Sequence, residues 1–272
     1  MIRSTHALGS EGPGTVAPDL KTELESGPRW MYDWPLGPGI SVPLIHHELP
    51  DVHRTRAEVI EPIARAVLAG AGRNAIGIDL GCSEGFFSQL LLEWGACSVL
   101  GIDVRDVNLR RAALLRDHFG IPTEQLRFQR SNVNDLDPEE FGRYDVVLAL
   151  GLVYHLEDPV GFLRIARALT GGVFIVESQL TRQDVAIEYG WGAADSCLSA
   201  DASFAAVVES YETDCTTASA TGTLSLIPNR AALELMLRVA GFDDIDWLEP
   251  GKDHNEQYRR GDRAIAVARV SA

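Results

Sequence analysis

Two carboxylates stand at the ends of two short apolar runs: Asp79 in AIGIDLGCSEGFF (residues 75–87) and Asp103 in CSVLGIDV (97–104). A third acid, Glu84, lies in the glycine-bearing loop between Asp79 and the helix that follows. Such a strand-to-helix loop ordinarily cradles an anion, because a helix N-terminus carries unpaired N–H groups and the positive end of the dipole. Acids in the loop reverse that preference. A pyrophosphate beside Asp79 and Glu84 would meet like charge, and the middle glycine of the G-x-G-x-x-G dinucleotide fingerprint is absent. The chemistry this loop invites is that of a cation without phosphate.

S-adenosylmethionine is such a ligand, with a sulfonium and an ammonium. Asp79 would hold the ammonium directly or through water, and Gly81 and Gly85 would let the methionine part approach the backbone, unless they are simple turn glycines. Asp103 would accept both ribose hydroxyls; its alternative role is a helix N-cap. Asn132 would read the adenine edge with Val133 against the ring. Cys82, Ser83, Phe86, Val104 and Leu150 complete the expected cofactor contacts. Cys82 reads as a small packing residue, not a nucleophile, since no base is near it in sequence.

Tyr154 and His155 follow the fourth apolar run, where a methyl acceptor would approach. His155 is a natural base near neutral pH; alternatively it caps the next helix or fixes the loop. Glu177 ends the fifth run and faces either solvent or the cleft. Trp30, His46 and Trp191 are further candidate acceptor contacts. His46 and His47 point in two directions and have no ligand partners at suitable spacing, so no metal site is expected.

These residues need a scaffold. Apolar runs at 75–80, 97–104, 126–131, 144–151 and 172–178 read as strands, with helices at 84–94, 105–119 and 158–169 between them. Continuous apolar strands alternating with helices predict a parallel sheet covered on both faces. A helix is expected over 51–70, with Asp51 as N-cap and Val59, Ile63 and Val67 on one face. A helix at 229–242 and strands at 243–249 and 263–270, joined by a short connection, predict an antiparallel ending. The expected fold is thus α/β: a Rossmann-like, seven-stranded, mostly parallel sheet with helices on both faces and an antiparallel last strand. The expected organisation is a disordered arm over 1–20, an N-terminal flap over 21–50, and one domain over 51–272. A lid-like insertion at about 180–228, with Trp191 and Tyr211 embedded, interrupts that domain.

The chain of 272 residues carries a formal net charge of −15, which disfavours a nucleic-acid partner. No run of apolar residues is long enough to span a membrane, and the first residues have no signal-peptide core. The four cysteines form no C-x-x-C pair, which fits reduced thiols and a cytoplasmic location. A monomer or homodimer is expected.

Residues 75–178 resemble the class I S-adenosylmethionine-dependent methyltransferases, through IDLGCSEGFFS, VLGIDV, SNVNDL and YDVVLALGLVYHLEDP taken together. Where that family usually has an acid after its third strand, this chain has Asn132. GLVYHLEDP (151–159), SLIPNRAALELMLRVAGF (225–242), DRAIAVAR (262–269) and RWMYDWPLGPG are similar to the group around the tRNA wobble-uridine carboxymethyltransferase. In that group a Tyr, an Arg and a Lys grip the carboxylate of a carboxylated cofactor. The resemblance places Tyr154 and Arg263 on the Tyr and Arg positions; the Lys-bearing basic segment has no counterpart here. Arg263 is therefore a candidate partner for an anionic acceptor or a cofactor carboxylate. The resemblance implies a methyltransferase that uses S-adenosylmethionine, yields S-adenosylhomocysteine and acts on the oxygen or nitrogen of a small-molecule acceptor, as in natural-product tailoring. The alternatives are an RNA-modifying methyl- or carboxymethyltransferase, with an arginine-rich surface around the cleft, and a non-catalytic cofactor-binding partner protein with a blocked acceptor side.

Overall fold

The computed structural model describes residues 16–181, 202–208 and 224–270. Helices α1 (Pro18–Ser26) and α2 (Leu49–Ala71) precede β1 (Ile76–Leu80). Helix and strand then alternate through α3 (Phe86–Trp94), β2 (Ser98–Asp103), α4 (Asp106–His118), β3 (Leu126–Arg130), the short α5 (Pro138–Phe141), β4 (Tyr144–Leu150), α6 (Pro159–Leu169) and β5 (Thr170–Gln179). β6 (Phe204–Val208) and β7 (Leu224–Pro228) form a separate antiparallel pair. The chain continues through α7 (Arg230–Ala240), β8 (Asp244–Leu248), α8 (Glu256–Arg259) and β9 (Arg263–Arg269).

The main sheet has seven strands in the order β3-β2-β1-β4-β5-β9-β8. β1 to β5 are parallel, and β9 runs antiparallel to both β5 and β8. This is the expected seven-stranded α/β sheet. Strand order reverses between β1 and β4, and the crevice outside their carboxyl ends is where such sheets bind ligands. Side chains alternate between two cores with the strand period of two. Val146, Leu148 and Leu150 of β4 face the core under α2 and α3, whereas Val147 and Ala149 face the core under α6 and α7.

Four expectations about segments change. The arm expected over 1–20 gives way to α1 from Pro18, and residues 1–15 lie outside the described residues. The expected flap is part of the core: Trp30, Tyr32, Trp34, Leu36 and Val42 are buried in the cluster that α2 and α3 share. In α2 the buried ridge is Val52, Arg56, Ile60, Ala64 and Leu68, spaced four apart, while Val59, Ile63 and Val67 flank it half-buried. The helix begins at Leu49 with Pro50 in its first turn, so Asp51 is a first-turn acid bonded to Arg54 and not the cap. Finally, the link between β8 and β9 is long enough to hold α8, which carries Tyr258 back to the sheet edge. Of the expected insertion, β6 and β7 are described; Trp191 and Tyr211 lie outside the described residues.

Candidate functional site

The loop from β1 to α3 is built from three residues with positive φ, Gly81 (76°), Ser83 (49°) and Gly85 (80°). Backbone N–H groups of Gly81 and Cys82 both donate to the Ile102 carbonyl at 2.8 Å, tying the loop to the end of β2. Asp103 fastens it further. Its Oδ2 accepts from Ser83 N (2.9 Å), and its Oδ1 accepts from Arg105 N (2.8 Å) and from Asn108 Nδ2 (3.4 Å). The residue flanking α4 is Arg105, so Asp103 joins two loops and does not cap the helix. Glycine is needed at 81 and 85 for backbone conformation and for packing. A Cβ on Gly85 would lie 2.7 Å from Phe128, and one on Gly81 3.0 Å from Leu152. A side chain at either position would meet protein atoms.

Asp79 is buried beside this loop, with Oδ2 accepting from Ser88 Oγ at 2.7 Å. Burial pushes its carboxyl up to about 7, and the charge of Asp103 adds to the effect. Asp103 is likewise raised by burial, against the hydrogen bonds it accepts. The hydrogen-bond donors to both acids are neutral. Two desolvated carboxyls with neutral donors fit a ligand that brings positive charge and hydroxyl or ammonium donors. They do not fit a phosphate. The Cys82 thiol is pushed well up by burial and by the two acids, which keeps it a thiol and not a nucleophile.

Glu84 does not face the same cleft. Fully buried, it accepts from Met31 N (3.0 Å) and Tyr32 N (3.3 Å) and pairs with Arg111 (3.2 Å). Arg111 also reaches Glu23 (2.9 Å) and the Pro28 and Arg29 carbonyls, and its guanidinium lies 4.2 Å over the Trp30 ring. Glu84 and Arg111 thereby clamp the N-terminal segment onto the loop. Tyr32, carried by that segment, stacks on Phe86 at 4.9 Å with the rings nearly parallel.

At the carboxyl ends of β4 and β5 a second buried cluster forms around Glu177. Its Oε2 accepts from Arg56 (2.8 Å), and its Oε1 accepts from Arg263 (3.0 Å) and from Tyr258 Oη (3.0 Å). Arg56 donates to Tyr258 Oη (3.1 Å), and Arg263 to Gln257 (2.6 Å). Arg56 also contacts His53 Nδ1 at 3.3 Å. Because the guanidinium can only donate, Nδ1 is the acceptor, and His53 Nε2–H donates to the Met31 carbonyl (3.2 Å). Burial and Arg56 hold His53 well below its ordinary value, so it stays neutral. Two arginines face one carboxylate, which leaves this buried cluster with surplus positive charge. Tyr154 is buried next to it, and the His155 ring lies 4.2 Å from the Tyr154 ring.

A family model described as "Methyltransferase domain" matches residues 52–246, well over half of the chain. The chain belongs to the S-adenosylmethionine-dependent methyltransferases. A ubiquinone biosynthesis O-methyltransferase of Rhodopseudomonas palustris is 29% identical over 182 residues, covering 62% of this chain and 66% of that protein. A tRNA U34 carboxymethyltransferase of Alteromonas mediterranea is 28% identical over 119 residues, 42% of this chain and 34% of that one. The matched stretch thus spans two thirds or less of these relatives. Among solved structures, the N-terminal domain of EvdMO1, determined in the presence of S-adenosylhomocysteine and D-fucose, aligns with a TM-score of 0.63 at 23% identity. It covers 93% of this chain and 94% of that one, and shows a shared fold.

In this methyltransferase the residues expected at the cofactor share one edge. Asp79, Gly81, Cys82, Ser83, Gly85 and Phe86 form the first loop, and Asp103 and Val104 end β2. Asn132 and Val133 follow β3, and Asn132 Oδ1 accepts from Asn134 N (3.1 Å). Leu150 closes β4. Tyr154, His155, Glu177 and Arg263, the residues expected on the acceptor side, come together at the ends of β4 and β5 and the start of β9. His155 does not cap the next helix, since Asp158 does so through Gly161 N. Glu177 is neither at solvent nor free in a cleft; it is held by two arginines. Trp30 is fully buried under Arg111, and His46 is exposed outside the Glu177 cluster. The arrangement also enlists Arg56, His53, Tyr258 and Tyr32, none of which the sequence reading named. One signal was available: Arg56 interrupts the ridge of Val52, Ile60, Ala64 and Leu68, and a charge there needs a buried partner. Among the described residues no group of His, Cys, Asp or Glu could hold a metal, and no helix is long and apolar enough to cross a membrane.

Proposed function

We propose that the chain transfers the methyl group of S-adenosylmethionine to an oxygen or nitrogen of a small-molecule acceptor. The observation that carries this reading is the pair of buried acids, Asp79 and Asp103, fixed at the carboxyl ends of β1 and β2 by hydrogen bonds from Ser88, Ser83, Asn108 and the Arg105 backbone. In this reading Asp79 holds the ligand's ammonium, Asp103 its ribose hydroxyls, and the Asn132 amide its adenine. When bound, the cofactor supplies a methyl group on an already activated sulfonium. The chain's own task is then alignment and exclusion of water, and orientation alone contributes about 7–11 kcal/mol to barrier reduction. Tyr154 and His155 stand at the adjoining strand end, where the acceptor approaches. His155 takes the acceptor's proton if that group is an alkyl hydroxyl; an acidic phenol or a carboxylate needs no base. The surplus charge around Arg56 and Arg263 favours an acceptor with an anionic group nearby.

The similarity to the U34 carboxymethyltransferase keeps a tRNA acceptor as the rival reading. A net charge of −15 and carboxylates at the site oppose it. The test is methyl transfer from labelled S-adenosylmethionine to a panel of phenolic, carboxylic and sugar acceptors, run beside bulk tRNA. Label in a small-molecule product supports the proposal; label in tRNA alone, with none in any small molecule, overturns it.

A further inference from the structure

A cavity of about 750 Å³ opens at the far end of the same carboxyl edge, between Leu180 after β5, the first turn of α7, the end of β8 and the α8–β9 corner. Tyr258 and Arg263 line it, so two of the three side chains that grip Glu177 also stand between that cluster and the cavity. Four arginines line it (Arg230, Arg259, Arg260 and Arg263) against two acids, Glu234 and Glu249, in a chain whose overall charge is strongly negative. Most of these charges are already matched. Arg230 pairs with Glu249 (3.4 Å), Arg260 with Glu256, and Arg263 with Glu177 (3.0 Å). Glu234 pairs with Arg238 (2.8 Å) and accepts from Trp247 Nε1 (3.1 Å). Arg259 differs: its Nε donates to the His254 carbonyl (3.1 Å), and among the described residues no carboxylate pairs with it. Leu248, Pro250 and Trp247, whose ring carries the Arg230 guanidinium at 4.5 Å, add apolar surface, and Thr181, Asn229 and Tyr258 add polar groups.

We propose that this cavity binds a small organic anion that joins a planar apolar body to a carboxylate or phosphate, with Arg259 meeting the anionic end. The binding does not depend on the proposed function. The interspersed glutamates suit a small molecule over a polyanion backbone, which needs a run of unopposed cations.

The probe is 2-naphthoate, titrated by calorimetry into the full chain, with 2-naphthalenemethanol as its uncharged counterpart. We expect one saturable naphthoate site, little or no binding of the alcohol, and a loss of about tenfold in naphthoate affinity on Arg259→Glu, as for one charge-assisted contact. Arg73→Glu, an exposed residue between α2 and β1, should leave it unchanged. S-adenosylhomocysteine titrated into each variant reports fold integrity and tests the methyltransferase reading separately. Its binding without a naphthoate site overturns the cavity proposal alone, and the converse overturns the cofactor reading alone. The proposal also fails if Arg259→Glu and Arg73→Glu have equal effects, if the alcohol binds as well as the acid, or if bulk tRNA displaces naphthoate at physiological salt, which would make the surface an RNA contact.

Discussion

Arg56 of α2 and Glu177 at the end of β5 meet at 2.8 Å across 121 positions of sequence, with side-chain exposures of 6% and 0%. A second arginine, Arg263, binds the same carboxylate from β9. The pairing locks α2 to the end of β5 and the start of β9. Removing one partner of a buried pair leaves a stranded charge, which typically costs about 3–5 kcal/mol. Glu177→Ala, which strands two, should lose at least that in urea denaturation. A loss under about 1 kcal/mol would mean that the arginines find water or other partners and that the pairing is incidental.

Asp79 sets a pH dependence. Its folded-state value, about 7, lies above its ordinary 3.8. The apo fold therefore favours the protonated form: the contribution to stability is full below pH 3.8 and is lost as pH rises through about 7. A ligand ammonium reverses the preference and favours the carboxylate. S-adenosylhomocysteine affinity should rise with pH up to about 7 and then level off, with about one proton released on binding near pH 6. Calorimetry in buffers of different ionisation enthalpy reads that proton, and Asp79→Asn should abolish its release. Affinity that is flat with pH in the wild type would remove Asp79 from the ammonium site.

Asp103 has two duties, since it holds Ser83 N and Arg105 N as well as facing the proposed ribose site. Asp103→Ala should weaken S-adenosylhomocysteine by about 1–3 kcal/mol, the usual cost of unpaired polar groups. Asp103→Asn keeps a single acceptor oxygen and should lose part of that. If affinity is unchanged in both variants while the fold persists, Asp103 serves only the loops.

Arg111 anchors the N-terminal segment through Glu84, Glu23 and the Pro28 and Arg29 carbonyls. Arg111→Leu should free residues 28–45, making them sensitive to limited proteolysis and displacing Tyr32 from Phe86. Bound S-adenosylhomocysteine should restore less protection in the variant than in the wild type. A proteolysis pattern identical to wild type would show that Trp30, Trp34 and Leu36 hold the segment by packing alone.

The sheet was legible because its inner strands are buried on both faces and read as apolar runs, whereas β3 and β8 at its edges are largely exposed. The cofactor edge followed from Asp79 and Asp103, which sit at strand ends where position alone fixes their address. The acceptor edge was less legible. Tyr154, Glu177 and Arg263 are also strand-end residues, but Arg56 and Tyr258 reach them from α2 and α8, and no local pattern records a contact across 121 or 81 positions. Glu84 misled for a different reason. Spacing put it in the acid-lined loop, yet the left-handed turn at Ser83 aims it at the N-terminal segment. Trp30 misled in the same way: an aromatic in a Pro- and Gly-rich stretch reads as a flap, and its burial under Arg111 depends on a helix 80 positions away.

The central claim is that the acids at the ends of β1 and β2 select a cationic, phosphate-free nucleoside ligand. It is tested most directly by titrating S-adenosylhomocysteine and NAD into the same preparation by calorimetry. The account predicts one S-adenosylhomocysteine site of micromolar affinity, unchanged by chelator, and no measurable NAD binding. Tight NAD binding with none of S-adenosylhomocysteine would contradict it.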